Sequence, residues 1–266
     1  MTPAVVLSVA GSDPGGGAGL QADLRTFAAL GVHGASALCA LTVQDTTGVS
    51  ALHPVEPAVV ADQIDAVVGD LAVLATKTGM LGRPDTASVV TARRARLGAL
   101  VVDPVLRAST GDSLAPTGMV EAYRKVLIPV ATVVCPNLDE ASVLCGMPVA
   151  DVSAMEDAAV ALVAMGASAA VVTGGHLEGE VVVDVFADRS GATALRRPRV
   201  ATINDHGTGC TFSAALAAYL ALGHCPVDAA GAAGRFVARA LTGAAHWHLG
   251  RGRGPLDQLG WDAEAG

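Results

Sequence analysis

Two stretches of this sequence have residue types and spacings suited to holding an anion. The run Gly11-Ser-Asp-Pro-Gly-Gly-Gly-Ala-Gly19 lies between an apolar segment and an amphipathic one. A strand should enter it and a helix leave it, which is where an open sheet puts its ligand. It suits phosphate, substrate or simply a tight turn. Its spacing is neither G-x-G-x-x-G nor G-x-x-x-x-G-K-[ST], which argues against a dinucleotide fingerprint and a P-loop. The second run, Asn204-Asp-His-Gly-Thr-Gly-Cys210-Thr211, opens a long Ala-rich segment of helical character. A helix start offers unpaired N–H groups and a partial positive charge, so inward amides at Gly207 to Gly209 could receive charge building on a transferring phosphoryl group. Cys210 falls in the first turn, where the same field lowers a thiol pKa toward thiolate. That makes it a candidate general base. Cys39, Cys135, Cys145 and Cys225 follow no such turn and read as small buried apolar residues.

These groups need a scaffold, and the apolar pattern describes one. Short β-branched runs alternate with Gly or Pro turns and helical stripes, the signature of βαβ units and a mostly parallel sheet. Predicted strands are Ala4–Ala10, Ser36–Val43, Val73–Thr78, Ala99–Val102, Thr132–Cys135 and Ala169–Thr173. Leu20, Leu24, Phe27 and Leu30 mark a helix that Gly31 ends, and the last part is helical over Thr208–Leu222 and Val227–His246. Val49–Pro54 and Val181–Phe186 do not alternate with helices and are expected to form a small edge sheet or flap.

With 266 residues, 52% hydrophobic and 16% charged, the chain can bury a sizeable core. No linker or solenoid repeat divides it, so one domain over residues 1–266 is expected. No run of about 18 apolar residues suggests a membrane span, and Met1 leads into a strand-like segment without a basic n-region, which reads as cytoplasmic. A net charge of −8 gives no basic footprint for nucleic acid. Five scattered cysteines without a C-x-x-C pair suggest neither a disulfide framework nor a structural metal.

A Gly-x-Gly turn before a catalytic residue at a helix start, late in a βαβ chain, resembles the ribokinase superfamily, where Asp usually fills that position. The Cys variant occurs here with Ala10–Leu24, Val43-Gln44-Asp-Thr, Thr76-Lys77-Thr-Gly-Met80-Leu, Val102-Asp103-Pro-Val, Cys135-Pro-Asn137-Leu-Asp-Glu140-Ala and Gly174-Gly-His176-Leu. In that order the blocks are similar to the hydroxymethylpyrimidine/phosphomethylpyrimidine kinases of thiamine biosynthesis. The resemblance implies a three-layer α/β/α fold and two successive phosphorylations by ATP with Mg²⁺, first of the pyrimidine alcohol and then of its monophosphate. It implies substrate contacts by Gln44, Asp23, Gly11, Met80 and Leu106. A carboxamide such as Gln44 supplies the acceptor and donor that complement an aminopyrimidine edge. Nucleotide and phosphate contacts fall to Asn137, Glu140, Thr173 and Thr208, with Asp103 and Glu140 near the metal, commonly through water. Taken alone, Asn137 after Pro136 could simply cap a helix. Relatives are often dimers, so a homodimer is expected on the same ground.

Three positions depart from the family pattern. Thr173 stands where Lys is usual and removes a positive charge, for which a nearby Arg could substitute. Asp45 and Asp205 replace Asn and Thr and should make the pocket more acidic. A pyridoxal or pyridoxine kinase of the same fold is the alternative within enzymes. A non-catalytic pyrimidine-binding regulator is the alternative outside them, and the missing Lys is its one support.

Overall fold

The computed structural model describes residues 2–108, 111, 112 and 114–261. Among the described residues nine strands form one sheet: β1 (Val5–Ser12), β2 (His33–Asp45), β3 (Gly48–Pro54), β4 (Val73–Thr78), β5 (Ala99–Val102), β6 (Val133–Val134), β7 (Ala169–Val172), β8 (Val181–Asp188) and β9 (Gly191–Pro198). Their order is β3-β2-β1-β4-β5-β6-β7-β8-β9. The six central strands from β2 to β7 in this order run parallel, with β3 antiparallel at one edge and β8 and β9 antiparallel at the other. Helices α1 (Gly19–Ala29), α7 (Thr208–Ala221) and α8 (Pro226–Ala244) cover one face. The other face carries α2 (Pro57–Asp70), α3 (Asp85–Thr91), α4 (Met119–Ala122), α5 (Leu138–Cys145) and α6 (Val152–Ala164).

The period of two along each strand decides which side chain meets which layer. In β1, Leu7 and Val9 pack into the core with α2 and α3, whereas Val6 packs with α7 and α8. Helix α7 is buried nearly all round through Thr211–Ala218, and its alanines suit a helix pressed against both the sheet and α8. The parallel strands all end on the side where the glycine turns lie, so the site forms there.

Two expectations about edges change. Val49–Pro54 and Val181–Phe186 do not pair with each other as a separate flap; they belong to strands at opposite edges of the main sheet. Strand β9 had no sequence signal, because Arg196, Arg197 and largely exposed small residues leave it without an apolar run.

Candidate active site

A cleft of about 500 Å³ opens at the carboxyl ends of the strands. Gly11, Gln44, Met80 and Leu106 line it, as do Asp103, Asn137, Glu140 and Thr173. The second glycine turn contributes Gly207, Thr208, Gly209 and Cys210 to the same cavity. Of the sequence-predicted residues only Asp23 lies elsewhere.

Asp23 is fully buried beneath the site rather than facing substrate. Ser8 donates to it at 2.5 Å, and Lys77 reaches its two oxygens at 3.0 and 2.9 Å. Ser8 and Lys77 are register partners on β1 and β4, on the face that α1 covers, so the pleat aims all three together. Lys77 also stands 3.9 Å from Asp103, which accepts from Ser213 on α7. Burial acts to lower the Lys77 ammonium, but the charges of Asp23, Cys210 and Asp103 outweigh it and raise its pKa. This buried ion network ties α1, β1, β4, β5 and α7 together under the cavity floor. The sequence singled out Asp23 and Asp103 for substrate and metal, and their meeting at Lys77 depends on strand pairing that no local pattern carries.

The first glycine turn is closed on itself. Asp13 Oδ1 accepts from Gly15 N–H at 2.8 Å, and Oδ2 accepts from Gly17 and Ala18 at 3.0 and 2.9 Å. Those amides are spent on a carboxylate of the chain, so the turn is a wall of the cavity and not a phosphate cradle. His206 Nε2 lies 2.9 Å from Asp13 Oδ2 and 3.3 Å from the Gln44 amide. Gly11 lines the cavity, and a Cβ there would meet Met80 Cε at 2.3 Å. Its missing side chain makes room for Met80.

The second turn is built differently. Gly207 has φ +89°, and a Cβ on it would lie 1.9 Å from the Gly17 carbonyl oxygen. Only glycine allows both the left-handed backbone and this approach of the two turns. No side chain caps α7. Thr208 turns its hydroxyl back to the Asp205 carbonyl at 2.7 Å, and Gly209 has open space at its Cβ position. Cys210 follows, partly exposed. Its thiol is pushed up to about 12, the reverse of the expected shift: burial and the charges of Asp103 and Asp23 outweigh Lys77 and the Gly19 amide. A helix start lowers a thiol pKa only where the other charges do not oppose it.

Asn137 and Glu140 form a capping box on α5. Each side chain accepts from the other's backbone N–H, both at 2.9 Å, and Glu140 Oε1 takes a further amide from Leu106 at 3.4 Å. Burial, then the charge of Asp103, push the Glu140 carboxyl up to about 8. Asp103 is raised too, burial leading. Among the described residues no group of three or more His, Cys, Asp or Glu is placed to hold a metal ion directly.

Thr173 sits against Pro136, whose carbonyl accepts its N–H at 2.9 Å. Two arginines of the lining, Arg197 and Arg199, are committed elsewhere. Arg199 donates to the carbonyls of Gly175, Leu177 and Gly179, holding the loop after Thr173, and Arg197 pairs with buried Asp184. The extra acids are also neutralised: Arg251 pairs with Asp45 at 3.1 Å and Arg253 with Asp205. The pocket is therefore less acidic than the sequence suggested, because a segment near the C-terminus brings its own charges.

A family model described as phosphomethylpyrimidine kinase matches residues 13–257, which take in the first glycine turn from Asp13 onward, the second glycine turn and the capping box. The chain belongs to the phosphomethylpyrimidine kinase family. It is 47% identical to a hydroxymethylpyrimidine/phosphomethylpyrimidine kinase of Rhizobium meliloti, over 95% of this chain and 96% of that one. Among solved structures it resembles the pyridoxal kinase of Bacillus subtilis in its ADP complex, with a TM-score of 0.89 at 34% identity, covering 99% and 100% of the two chains. It also resembles the phosphomethylpyrimidine kinase of Clostridium difficile, with a TM-score of 0.78 at 33% identity, covering 89% and 99%.

Asp13, Thr42 and His206 line the cavity and were not singled out by sequence reading. An acid set inside a glycine run, with amides two, four and five residues on, is the signal that could have found the first. The other two depend on contacts across 30 and 193 residues of chain, which no local pattern carries.

Proposed function

We propose that this chain transfers the γ-phosphoryl group of ATP to the hydroxymethyl group of 4-amino-5-hydroxymethyl-2-methylpyrimidine, and then a second one to the resulting monophosphate, in thiamine biosynthesis. The observation that carries this reading is one cavity holding Gln44 beside the uncapped start of α7. Gln44 offers an amide edge to an aminopyrimidine, with Met80 and Leu106 as apolar walls. Amides at Gly207, Gly209 and Cys210 face the charge of the transferring group, while that of Thr208 is held by the Asp205 carbonyl. In a loose phosphoryl-transfer transition state the alcohol loses its proton late, so positioning and charge stabilisation dominate. This accords with a Cys210 that is a thiol at neutral pH in the free protein. It accepts the proton only as the thiolate.

Asp103 and Glu140 fit Mg²⁺ held through water rather than directly. Both carry hydrogen bonds from the protein and both are raised first by burial, then by a neighbouring carboxylate, Asp103 for Glu140 and Asp23 for Asp103, which a cation in the cavity would offset. Such an ion neutralises phosphate charge. The chain's own part is to keep the two carboxylates apart from the reacting oxygen and aimed at its water shell.

The fold neighbour named pyridoxal kinase favours a second reading, in which a pyridine alcohol shares the site. A mass-spectrometric time course with both alcohols in competition decides between them. Pyrimidine mono- and then diphosphate should accumulate first, and preferential phosphorylation of the pyridine would overturn the assignment. Gln44→Leu should raise the pyrimidine KM by an amount equivalent to about 1–3 kcal/mol.

A further inference from the structure

Gln44 stands between two polar neighbours, and a count of protons there decides which way round its carboxamide lies. On one side Gln44 Nε2 faces His206 Nε2 at 3.3 Å, and that ring nitrogen lies 2.9 Å from Asp13 Oδ2. Asp13 takes three backbone N–H groups. Burial pulls its pKa upward, but the His206 hydrogen bond and charge, with the Ala18 and Gly15 amides, hold it below the ordinary value. It is a carboxylate and can only accept. The proton between the two residues therefore sits on His206 Nε2, in the neutral ring and in the imidazolium alike. That one proton points to Asp13, so toward Gln44 the nitrogen has no lone pair and cannot accept an amide N–H.

On the other side Thr42 Oγ1 lies 3.3 Å from Gln44 Oε1 and 2.8 Å from the Ser12 carbonyl oxygen, with one proton to give to either. A hydroxyl has one proton, and a carbonyl can only accept. The closer Ser12 carbonyl takes it, which leaves Thr42 able only to accept from Gln44. With Nε2 toward His206 and Oε1 toward Thr42 the carboxamide sets donor against donor and acceptor against acceptor; turning it over by 180° relieves both contacts, and a carboxamide's orientation is set by its partners, not its shape.

We propose that Ser12–Thr42 and Asp13–His206 lock Gln44 with its oxygen toward His206 and its nitrogen toward Thr42, making Thr42 and His206 positioning residues that decide which heterocycle edge the cavity accepts. The amide keeps one lone pair and one N–H for a ligand, in a fixed order. A freely turning glutamine would read a donor–acceptor edge and its reverse about equally well; a locked one reads a single sense. The 4-aminopyrimidine alcohol and its 4-oxo counterpart have nearly the same shape and reversed edges, amino donor beside ring acceptor against oxo acceptor beside ring N–H. The lock rejects the second because its groups would face donor to donor and acceptor to acceptor.

This inference rests on the pyrimidine-alcohol reading of the cavity, and one experiment separates the two. The full chain is supplied with ATP and each of the two alcohols, and kcat/KM is measured for wild type, Thr42→Val and Thr42→Ser. Wild type should favour the amino compound by at least about 10²-fold, since buried polar groups left unmatched reject an analogue strongly. Thr42→Val should shrink that ratio at least tenfold by gaining turnover on the oxo compound, and Thr42→Ser, which keeps the hydroxyl, should restore it. A Thr42→Val protein with the wild-type ratio overturns the lock, as does comparable wild-type turnover of both alcohols, whether or not the variant folds. Wild type that phosphorylates neither alcohol overturns the substrate reading itself, and the lock's role in selecting substrate falls with it.

Discussion

The two glycine turns look alike in sequence and do opposite things. The first contains an acid, and Asp13 consumes the amides of Gly15, Gly17 and Ala18. The second contains no acid after Gly207, and α7 starts without a side-chain cap. A glycine-rich turn is therefore an anion site only when the chain does not supply the anion itself. The turns meet where Gly207 presses on the Gly17 carbonyl. The closed turn thereby braces the open one.

The strongest test fills the open turn while sparing the closed one. Gly209 has an ordinary backbone and open space at its Cβ position, so Gly209→Val should fold, with its side chain projecting beside the α7 amides. Turnover should fall more than about 10³-fold, beyond the loss of one oxyanion-type donor. Gly15→Ala in the first turn would bring its Cβ to 3.2 Å from Asp13 Oδ1, a contact a small shift relieves. Its turnover should drop only a few-fold. Equal losses in steady-state assays would mean that the first turn also holds phosphate.

Next in size is Cys210→Ala, expected to slow alcohol phosphorylation by about 10²-fold, the low end for a positioned acid or base. With the thiol pushed up to about 12, the thiolate fraction grows about tenfold per pH unit through neutrality. Wild-type kcat should therefore climb from pH 7 to 9, and the Cys210→Ala profile should be flat. A flat wild-type profile would leave Cys210 as a spacer and the anion site as the whole of the catalysis.

How much of this was readable beforehand follows from the range of the contacts. Strands Val73–Thr78 and Ala99–Val102 coincide with their predictions, because a fully buried parallel strand writes itself as an apolar run between turns. Helix α7 and the cavity positions of Gln44, Asn137 and Cys210 were legible for a similar reason: each lies in a compact local motif. Asp23 was misplaced because a helix carboxylate has no local mark of being buried, and only the β1–β4 pairing brings Lys77 to it. The thiol shift had the wrong sign because the helix start is local, whereas the burial that leads the shift and the charges of Asp103 and Asp23 come from other elements.

The closed turn can be opened from within. Asp13→Asn keeps one acceptor oxygen and loses the other, so at neutral pH it should cost about 1–3 kcal/mol of stability in chemical denaturation. The wild-type carboxyl is lowered from its ordinary 3.8, so its stabilisation is complete above that value and is lost as pH falls through the lower folded one. The gap between wild type and Asp13→Asn should close in that acid window and nowhere above it. A gap that persists below the window would mean that the carboxylate charge contributes nothing to holding the turn.

The smallest expected effect concerns the charge missing beside the open turn. Thr173 lines the cavity with its backbone fixed by Pro136, and the residue is only partly buried, so a longer side chain has room to extend into the cleft. Arg197 is bound to Asp184, Arg253 to Asp205, and Arg199 to three carbonyls, so none of the three is free to follow an incoming phosphate. A lysine here would be a mobile point charge of the kind that suits phosphate. The monophosphate substrate carries more negative charge than the alcohol, and a partly exposed charge pair is worth up to about 1 kcal/mol. Thr173→Lys should therefore raise kcat/KM for the monophosphate about three- to fivefold and leave that for the alcohol within twofold, in assays that resolve the two products. Because the gain is electrostatic, it should shrink as salt is raised. An equal fall in both steps would show that Arg199 and its loop have been rebuilt around Thr173, so that added charge only disturbs them.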